Sequence, residues 1–279
     1  MVRYLIPTLI ETKNQMIMTS PPILTNKYVE ESSVFTAENL LRESRRQKKL
    51  PLKEVPAICI LDPDGDIVRA LVAERRAEKD PGWACYHTDL YTFSEGEINF
   101  GIIGCAVGAS FAVLVAEELF ASGCELLISM TSAGQILEIG DPPYFVLIEK
   151  ALRDEGTSYH YLPPAEFSSI SPQLRSILDN AFANLSLTVY RGATWSTDAP
   201  FRETEPAIQH CKQHGIIGLE MEAAALYAFA EARNNPVVCI AYITNKMARA
   251  CGDFEKGNAG GSHDALEIIS AVAKAWISK

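Results

Sequence analysis

The 279-residue sequence lacks a CxxC pair, an internal repeat and any apolar run near the roughly 18 to 20 residues of a membrane span. It also lacks the GxGxxG, GxxxxGK[ST] and GxSxG motifs of dinucleotide-binding, P-loop and α/β-hydrolase proteins. Basic residues form a single short block, "RESRRQKK" at 42–49, within a chain of formal net charge −10. General nucleic-acid binders present a basic face, so the sequence argues against nucleic acid and membranes as partners.

The seven cysteines occur singly, and several lie in apolar stretches where cysteine behaves as a small hydrophobic residue. Their odd number and their scatter predict reduced thiols and a cytoplasmic protein. The N-terminal "MVRYLIPTLIETK" has too short an apolar core, and too early an acidic residue, for a signal peptide. A hydrophobic content of 48% provides enough material for the core of a large domain.

Apolar segments alternate with amphipathic segments along most of the chain. Strands are predicted at 55–61, 98–103, 125–130, 144–152, 187–195, 216–219 and 236–244, and helices at 35–50, 108–123, 171–185, 204–215, 221–234 and 262–277. This alternation predicts a single-domain, three-layer α/β/α fold with a mixed, mostly parallel central sheet. Residues 1–50 would form an N-terminal arm and helix, and residues 51–279 the α/β domain proper. Ligands of such sheets bind at the carboxyl ends of the strands.

One of those strand ends carries the stretch "GLEMEAAALYAFA" at 218–230, in which Glu220 and Glu222 flank Met221. A carboxylate can accept two hydrogen bonds at once, which suits the vicinal hydroxyls of a sugar. A methionine offers a soft apolar contact for a ring. The alternative is a helix start that tolerates acidic residues, because the helix dipole favours them there.

This stretch closely resembles the signature helix of the purine nucleoside and uridine phosphorylase family, an E-M-E-[AS]-A core that follows a strand. The resemblance implies that Glu222 and Met221 bind the ribose, and that Glu220 is a nearby carboxylate of the same ribose-binding group. It also implies cleavage of a nucleoside with inorganic phosphate as cosubstrate, without a metal or an organic cofactor. Family members are homo-oligomers, either dimers or hexamers of dimers, so the resemblance implies such an assembly here.

Two further segments resemble the family's anion-binding loops. The segment "GDIVR" at 65–69 has the spacing of the G-D-x-x-R phosphate loop. In that role Gly65 would bring backbone amides to the phosphate, and the guanidinium of Arg69 would donate two parallel hydrogen bonds to it. The segment "GCAVGAS" at 104–110 resembles the second glycine-rich turn more loosely. The alternative for the first segment is a solvated acidic turn.

The segment "ISMTSAGQI" at 128–136 aligns with the R-x-G-[ST]-x-G-x-[IV] stretch of the family. Ser132 keeps the hydroxyl that the family uses for phosphate, and Gly134 keeps a close backbone approach to the base. Ser129 stands where the family has a phosphate-binding arginine, and Thr131 replaces the first glycine. These departures imply weaker phosphate binding than the family pattern provides.

The segment where a neighbouring subunit usually donates another arginine, "WACYHTDLY" at 83–91, contains none. Arg191 and Arg202 are the candidates to replace the missing cations. The resemblance therefore leaves three activities open. They are phosphorolysis, with Glu222, Arg69 and Asp66 as the catalytic residues; hydrolysis, with Asp64 or Asp66 activating water; and nucleoside sensing without turnover.

The segment "GATWSTDAPFRETE" at 192–205 fits the base-facing loop of the pyrimidine branch of the family. Phe201 would stack on the base, and Arg202 and Glu203 would form hydrogen bonds with its edge. Asn245 stands where the purine branch has an aspartate, which favours the uridine-like branch and a pyrimidine nucleoside. The alternative for this segment is an ordinary loop that caps the following helix.

Overall fold

The computed structural model of the chain describes residues 21–247, 251–254 and 256–279. The strands are β1 (Ile58–Asp62), β2 (Glu78–Lys79), β3 (Tyr91–Glu95), β4 (Ile98–Gly104), β5 (Leu126–Gln135), β6 (Tyr144–Asp154), β7 (Phe167–Ser169), β8 (Val189–Thr197), β9 (Ile216–Glu220) and β10 (Val237–Asn245). The helices are α1 (Ala37–Lys48), α2 (Asp66–Ala73), α3 (Ala109–Phe120), α4 (Pro172–Ile177), α5 (Glu205–Gln213), α6 (Ala223–Arg233) and α7 (Ser262–Ile277).

The strands form one mixed sheet in the order β10-β6-β8-β9-β5-β1-β4-β3-β2, with β7 paired to β6. The pairings of β1 with β4 and β5, of β5 with β10, and of β8 with β6 and β9 are parallel. The α/β class and the mixed sheet are therefore confirmed. The additional pairing of β10 with β5 closes β5, β10, β6, β8 and β9 into a ring, a closure that the alternation of segments does not predict.

Helix α6 fixes the strand end that carries the acidic pair. Its alanine-rich sequence buries nearly the whole helix, from Ala223 to Phe229, between neighbouring elements. Within it, the Tyr227 hydroxyl donates to the carbonyl of Ile148 at 2.5 Å and accepts from the backbone N–H of Cys239 at 3.1 Å. These two bonds tie α6 to β6 and β10, so the beginning of the helix has a defined position relative to the sheet.

The predicted helix at 171–185 is shorter in the structure. Ser171 caps its start as expected, since its side chain accepts from the N–H of Leu174 at 3.2 Å. The helix ends at Ile177, and the chain beyond it continues in turns with i→i+3 hydrogen bonds, such as the one from the Ala181 N–H to the Leu178 carbonyl at 3.2 Å. The guanidinium of Arg191 holds these turns, since it binds the carbonyl of Leu178 at 2.5 Å and the carboxylate of Asp179 at 3.1 Å.

Among the described residues, no helix combines the length and the apolar character needed to cross a bilayer. The other helices begin and end close to the predicted positions. Thr36 caps α1, accepting from the N–H of Asn39 at 3.3 Å. The sequence interpretation missed α2, which begins inside the loop predicted at 65–69, and the short antiparallel pair formed by β2 and β3.

Candidate functional site

The ends of β9, β4 and β5 meet around the carboxylate of Glu222. Its Oε1 accepts the backbone N–H of Gly108 at 2.8 Å, from the turn after β4. Its Oε2 accepts the hydroxyl of Thr131, on β5, at 3.0 Å and the N–H of Met221 at 3.3 Å. Thr131, which replaces a family glycine, is thus a partner of this carboxylate. The sequence pattern alone does not indicate this role of Thr131.

Burial, and secondarily the charge of Glu220, raises the pKa of Glu222 to about 8. Only 2% of Glu222 is exposed, while Met221 beside it is half-buried. Oε1 accepts one hydrogen bond and keeps a free acceptor position, whereas Oε2 already accepts two, of which the bond from the Met221 N–H is long at 3.3 Å and open to replacement by a ligand hydroxyl. The group can therefore receive hydroxyl donors from a ligand that reaches it from the Met221 side.

The carboxylate of Glu220 is bound within the protein on both oxygens. Its Oε2 accepts the N–H groups of Glu222 and Ala223 at 2.6 and 2.7 Å, and its Oε1 accepts the hydroxyls of Thr194 and Ser196 at 3.0 and 2.5 Å. These four bonds fill the acceptor positions of the carboxylate. Glu220 therefore caps α6 from the preceding strand, and this geometry argues against the predicted ribose contact.

We expect Glu220→Ala to lower the free energy of unfolding by about 3 kcal/mol or more, because two buried N–H groups and two hydroxyls lose their acceptor. Glu220→Gln keeps an amide oxygen for the two N–H groups, so its loss should be well below that of the alanine variant. Denaturant titration of both variants measures the difference. Equal losses would contradict the capping role.

Asp62, the last residue of β1, shapes the loop that follows it. Its carboxylate accepts the N–H groups of Gly65 at 3.1 Å and Val68 at 2.9 Å, and burial raises its pKa to about 7. Gly65 has φ +76°, and a Cβ there would lie 2.7 Å from both Arg69 Nη1 and Cys105 Sγ. Only glycine fits this turn, which agrees with the glycine of the predicted loop.

A cluster of charges occupies the predicted phosphate subsite. The Asp64 carboxylate accepts the N–H of Ser132 at 3.1 Å and also its hydroxyl. Lys256 Nζ lies 3.1 Å from Asp64 Oδ2 and 2.5 Å from Asp66 Oδ2. Arg69 Nη2 donates to Asp66 Oδ1 at 2.5 Å and to the Asp64 carbonyl at 2.8 Å. The hydroxyl of Ser132, which the resemblance assigns to phosphate, is thus already bound to the Asp64 carboxylate.

The charges of this cluster balance one another. Burial alone would raise the pKa of Asp66, but the hydrogen bonds and charges of Lys256 and Arg69 hold that pKa below its usual value. Two cations therefore face two carboxylates. An incoming anion must compete with these carboxylates for Arg69 and Lys256.

Lys256 is a cation of this subsite that the sequence interpretation missed. It lies in the segment before α7, and no motif spacing links it to the predicted loop.

Ser129, in the place of the family arginine, is 1% exposed, and its hydroxyl has no hydrogen-bond partner in the described part of the chain. Arg191, expected as a substitute, is held by Leu178 and Asp179 at the end of α4.

The predicted base-binding residues divide into two groups. Phe201 is 98% exposed and Arg202 is also exposed, in the short turn that follows β8. Burial raises the pKa of neighbouring Glu203 to about 7. Because β8 runs parallel to β9, with Ser196 opposite Glu220, this turn leaves the sheet beside the acidic pair. No hydrogen bond among the described residues ties Phe201 or Arg202 to Glu222.

Asn245 and Gly134 form the second group. Asn245 is buried at the end of β10, where its Oδ1 accepts the N–H of Met247 at 2.9 Å and its Nδ2 donates to Thr244 at 3.1 Å. Met247 Sδ covers Gly134, where an added Cβ would lie 2.5 Å from the sulfur. A cavity of about 350 Å³ lies beside Met247 and is also lined by Gln135 and Ile208.

The assembled site has two chemically distinct halves. One half is the buried carboxylate of Glu222, which can accept hydroxyl donors, and the other is the cation pair of Arg69 and Lys256, which can attract an anion. Adjacent residues of β5 join them, since Thr131 binds Glu222 and Ser132 binds Asp64. Such a site can hold a sugar and place an anion or a water molecule next to it.

Curated relatives and solved structures resemble the chain. It is 26% identical over 193 residues to a uridine phosphorylase from Thermococcus kodakarensis (63% of this chain, 66% of that protein). It is 26% identical over 165 residues to a guanosine phosphorylase from Halorubrum lacusprofundi (57% and 62%). The chain therefore spans less than two thirds of the length of each relative.

A crystal structure of uridine phosphorylase from Vibrio fischeri, complexed with 6-hydroxy-1-naphthoic acid, has a TM-score of 0.67 at 21% identity and covers 81% of this chain and 93% of that one. A second structure of the same protein has a TM-score of 0.65 at 22% identity, with coverage of 79% and 93%. These two structures establish the fold. The family profile described as the phosphorylase superfamily matches residues 57–274, and the chain therefore belongs to the phosphorylase superfamily.

Proposed function

We propose that this protein cleaves the N-glycosidic bond of a nucleoside by phosphorolysis, releasing the free base and a pentose 1-phosphate. The observation that carries the proposal is the junction at Thr131 and Ser132. It joins the buried carboxylate of Glu222 to the subsite of Arg69 and Lys256. The names of the two curated relatives support phosphorolysis of a nucleoside.

In this mechanism the ribose hydroxyls donate to Glu222, and Met221 packs against the nucleoside. As the bond to the base lengthens, positive charge develops on the sugar, and the hydroxyl contacts to the carboxylate strengthen. Arg69, Lys256 and Ser132 hold phosphate beside C1′, where its charge stabilises the developing cation. The N–H of Gly65, which the sequence assigned to phosphate, instead donates to the carbonyl and the carboxylate of Asp62. One phosphate oxygen forms the new bond to C1′ while the base leaves with the electron pair of the old bond.

We further propose a pyrimidine base and a homo-oligomer, either a dimer or a hexamer of dimers. The amide of Asn245 can donate to or accept from a base but cannot act as a general acid near neutral pH, which supports a pyrimidine leaving group. Phe201 is 98% exposed, so a partner subunit beside it would complete the base subsite. Sedimentation of the purified protein tests the assembly; a monomer at assay concentrations would contradict it.

Hydrolysis is the second candidate, and the position of Asp64 favours it. Its carboxylate accepts the hydrogen bonds that the N–H and the hydroxyl of Ser132 would otherwise donate to phosphate. It also contacts Lys256. The carboxylate of Asp64 would act as the general base for a water molecule beside it. In that reaction water replaces phosphate, and the products are the free base and the free pentose.

The variant Asp64→Asn separates the two candidates. Under phosphorolysis, removal of this negative charge favours the phosphate dianion, and we expect KM for phosphate to fall by roughly threefold to tenfold. Under hydrolysis, loss of the base lowers kcat by about 100-fold or more. Steady-state kinetics at several phosphate concentrations decide between these results.

The proposal is tested by assaying the purified chain against purine and pyrimidine nucleosides with and without inorganic phosphate. We expect base release from a pyrimidine nucleoside only when phosphate is present. Equal release without phosphate would establish hydrolysis instead. Nucleoside binding without release from any member of the panel would indicate a sensor and contradict both enzymatic candidates.

A further inference from the structure

A buried carboxylate on α3 lacks a hydrogen bond to the described residues. Glu118, on α3, is 1% exposed, and neither of its carboxylate oxygens has a hydrogen-bond partner within residues 21–247, 251–254 and 256–279. Buried polar groups are nearly always paired, because an unpaired charge in the interior is strongly destabilising. The position of Glu118 therefore points to a ligand that supplies the missing positive charge.

Two metal-binding side chains face Glu118 from the segment at 83–90. The ligand atoms of Cys85, His87 and Glu118 all lie within 4.8 Å of one another, and Cys85 Sγ lies 4.0 Å from His87 Nδ1. Cys85 is 3% exposed, whereas His87 is exposed. Cys85 and Glu118 therefore form the buried side of the cluster, and His87 forms the side that is exposed to solvent.

Two hydrogen bonds hold the sulfur of Cys85 in place. The sulfur accepts the backbone N–H of His87 at 3.3 Å and the hydroxyl of Thr88 at 3.3 Å. Burial, followed by the contact with Glu118, raises the pKa of the Cys85 thiol, so a metal ion must displace the thiol proton to bind the thiolate. Thr88 is itself positioned by Trp83, whose indole N–H donates to the Thr88 hydroxyl at 3.0 Å.

The nearby cation does not satisfy Glu118. Lys48 Nζ donates to the carbonyls of Ala84 at 3.0 Å and Cys85 at 2.6 Å, and it forms no ion pair within 4.0 Å among the described carboxylates. The remaining alternative is a proton shared between Cys85 and Glu118. A metal ion would displace that proton and use all three ligands.

We propose that Cys85, His87 and Glu118 bind one divalent transition-metal ion of the zinc type. Tetrahedral zinc takes thiolate, imidazole and carboxylate ligands, and bond lengths of about 2.0 to 2.3 Å place sulfur and nitrogen ligands about 3.5 Å apart. The observed separations, 4.0 Å between Cys85 Sγ and His87 Nδ1 and at most 4.8 Å within the cluster, therefore require a contraction of roughly 0.5 to 1.3 Å on metal binding. The exposed side at His87 leaves the fourth position for water.

The proposed ion joins the segment at 83–90 to helix α3. This helix begins directly after Gly108, whose N–H holds Glu222. The ion would therefore stabilise the part of the fold that supports the nucleoside site without entering that site. The inference departs from the sequence expectation of no metal, because neither the C-x-H spacing nor Glu118 alone predicts the cluster.

Cobalt titration of the metal-free full-length protein tests this site directly. We expect one equivalent of Co²⁺ to bind with a sulfur-to-cobalt charge-transfer band and to be displaced by Zn²⁺. The variant Cys85→Ser should lose the band, and His87→Ala should weaken binding by at least about tenfold. The matched controls Cys105→Ser and His263→Ala, which alter an exposed cysteine and an exposed histidine elsewhere, should leave both readouts unchanged.

A thermal-shift comparison guards against misfolded variants. Glu118→Gln removes a buried charge at constant shape, so without metal it should melt at the same temperature as the wild type or at a higher one. Zn²⁺ should raise the melting temperature of the wild type but not that of Glu118→Gln. Equal shifts in both proteins, a charge-transfer band that survives Cys85→Ser, or the absence of saturable Co²⁺ binding would each overturn the proposal.

Discussion

Replacing Glu222 with glutamine should lower kcat/KM for nucleoside cleavage by about 100-fold or more. Above pH 8, where Glu222 is ionised, two hydrogen bonds from ribose hydroxyls to this charged acceptor contribute at least about 1.5 kcal/mol each, and each 1.4 kcal/mol corresponds to a factor of ten. The contacts strengthen as the sugar becomes positive, so the loss should fall mainly on kcat. Steady-state kinetics with saturating phosphate measures it.

Stability measurements separate this effect from a folding defect. The folded-state pKa of Glu222, about 8, lies above its ordinary value of 4.5 because of burial and the charge of Glu220. A raised carboxyl pKa means that its contribution to stability is present below pH 4.5 and is lost as the pH rises through 8. Glu222→Gln should therefore flatten the decline in unfolding free energy between about pH 5 and 8. A stable variant that retains wild-type kcat/KM would contradict the ribose role.

Removing the cations of the phosphate subsite should have the second large effect. We expect Arg69→Met and Lys256→Met each to raise KM for phosphate by roughly tenfold, and the double variant by about 100-fold. Each loses at least one charge-assisted hydrogen bond of about 1.5 kcal/mol. The measurement is the initial rate of base release as a function of phosphate concentration, at saturating nucleoside.

The control for these variants is Arg42→Met. Arg42 lies on the exposed face of α1 and pairs only with Asn39 and Glu43 among the contacts of the described residues. It should therefore leave KM for phosphate unchanged. If the Lys256 variant behaves like this control, then the ion pairs of Lys256 with Asp64 and Asp66 hold the loop together and do not bind phosphate.

Local sequence patterns predicted much of the fold and the main carboxylate of the site. Thr36 and Ser171 cap their helices because capping depends on residues three positions apart. The position of Glu222 at the junction of β9 and α6 was predictable in the same way. The strand and the helix follow each other directly, so the short E-M-E stretch contains the whole junction.

The rest depends on contacts between segments that are distant in the sequence. Lys256 reaches Asp64 across 192 positions and Asp66 across 190, and no spacing rule encodes such a contact. The contacts of Glu220 could not be predicted for a related reason. Its hydroxyl partners Thr194 and Ser196 become visible only once β8 is known to pair with β9. The ring of strands that the pairing of β10 with β5 closes is likewise not predictable from local patterns, because it depends on which distant strands pair.

The identity of the atom that attacks C1′ tests the central claim most directly. The protein is incubated with a pyrimidine nucleoside and phosphate in ¹⁸O-labelled water, and the sugar products are analysed by mass spectrometry. Phosphorolysis predicts a pentose 1-phosphate whose C1 oxygen comes from phosphate and carries no label. A free pentose carrying ¹⁸O from water would contradict the phosphorylase assignment and make Asp64 the catalytic base.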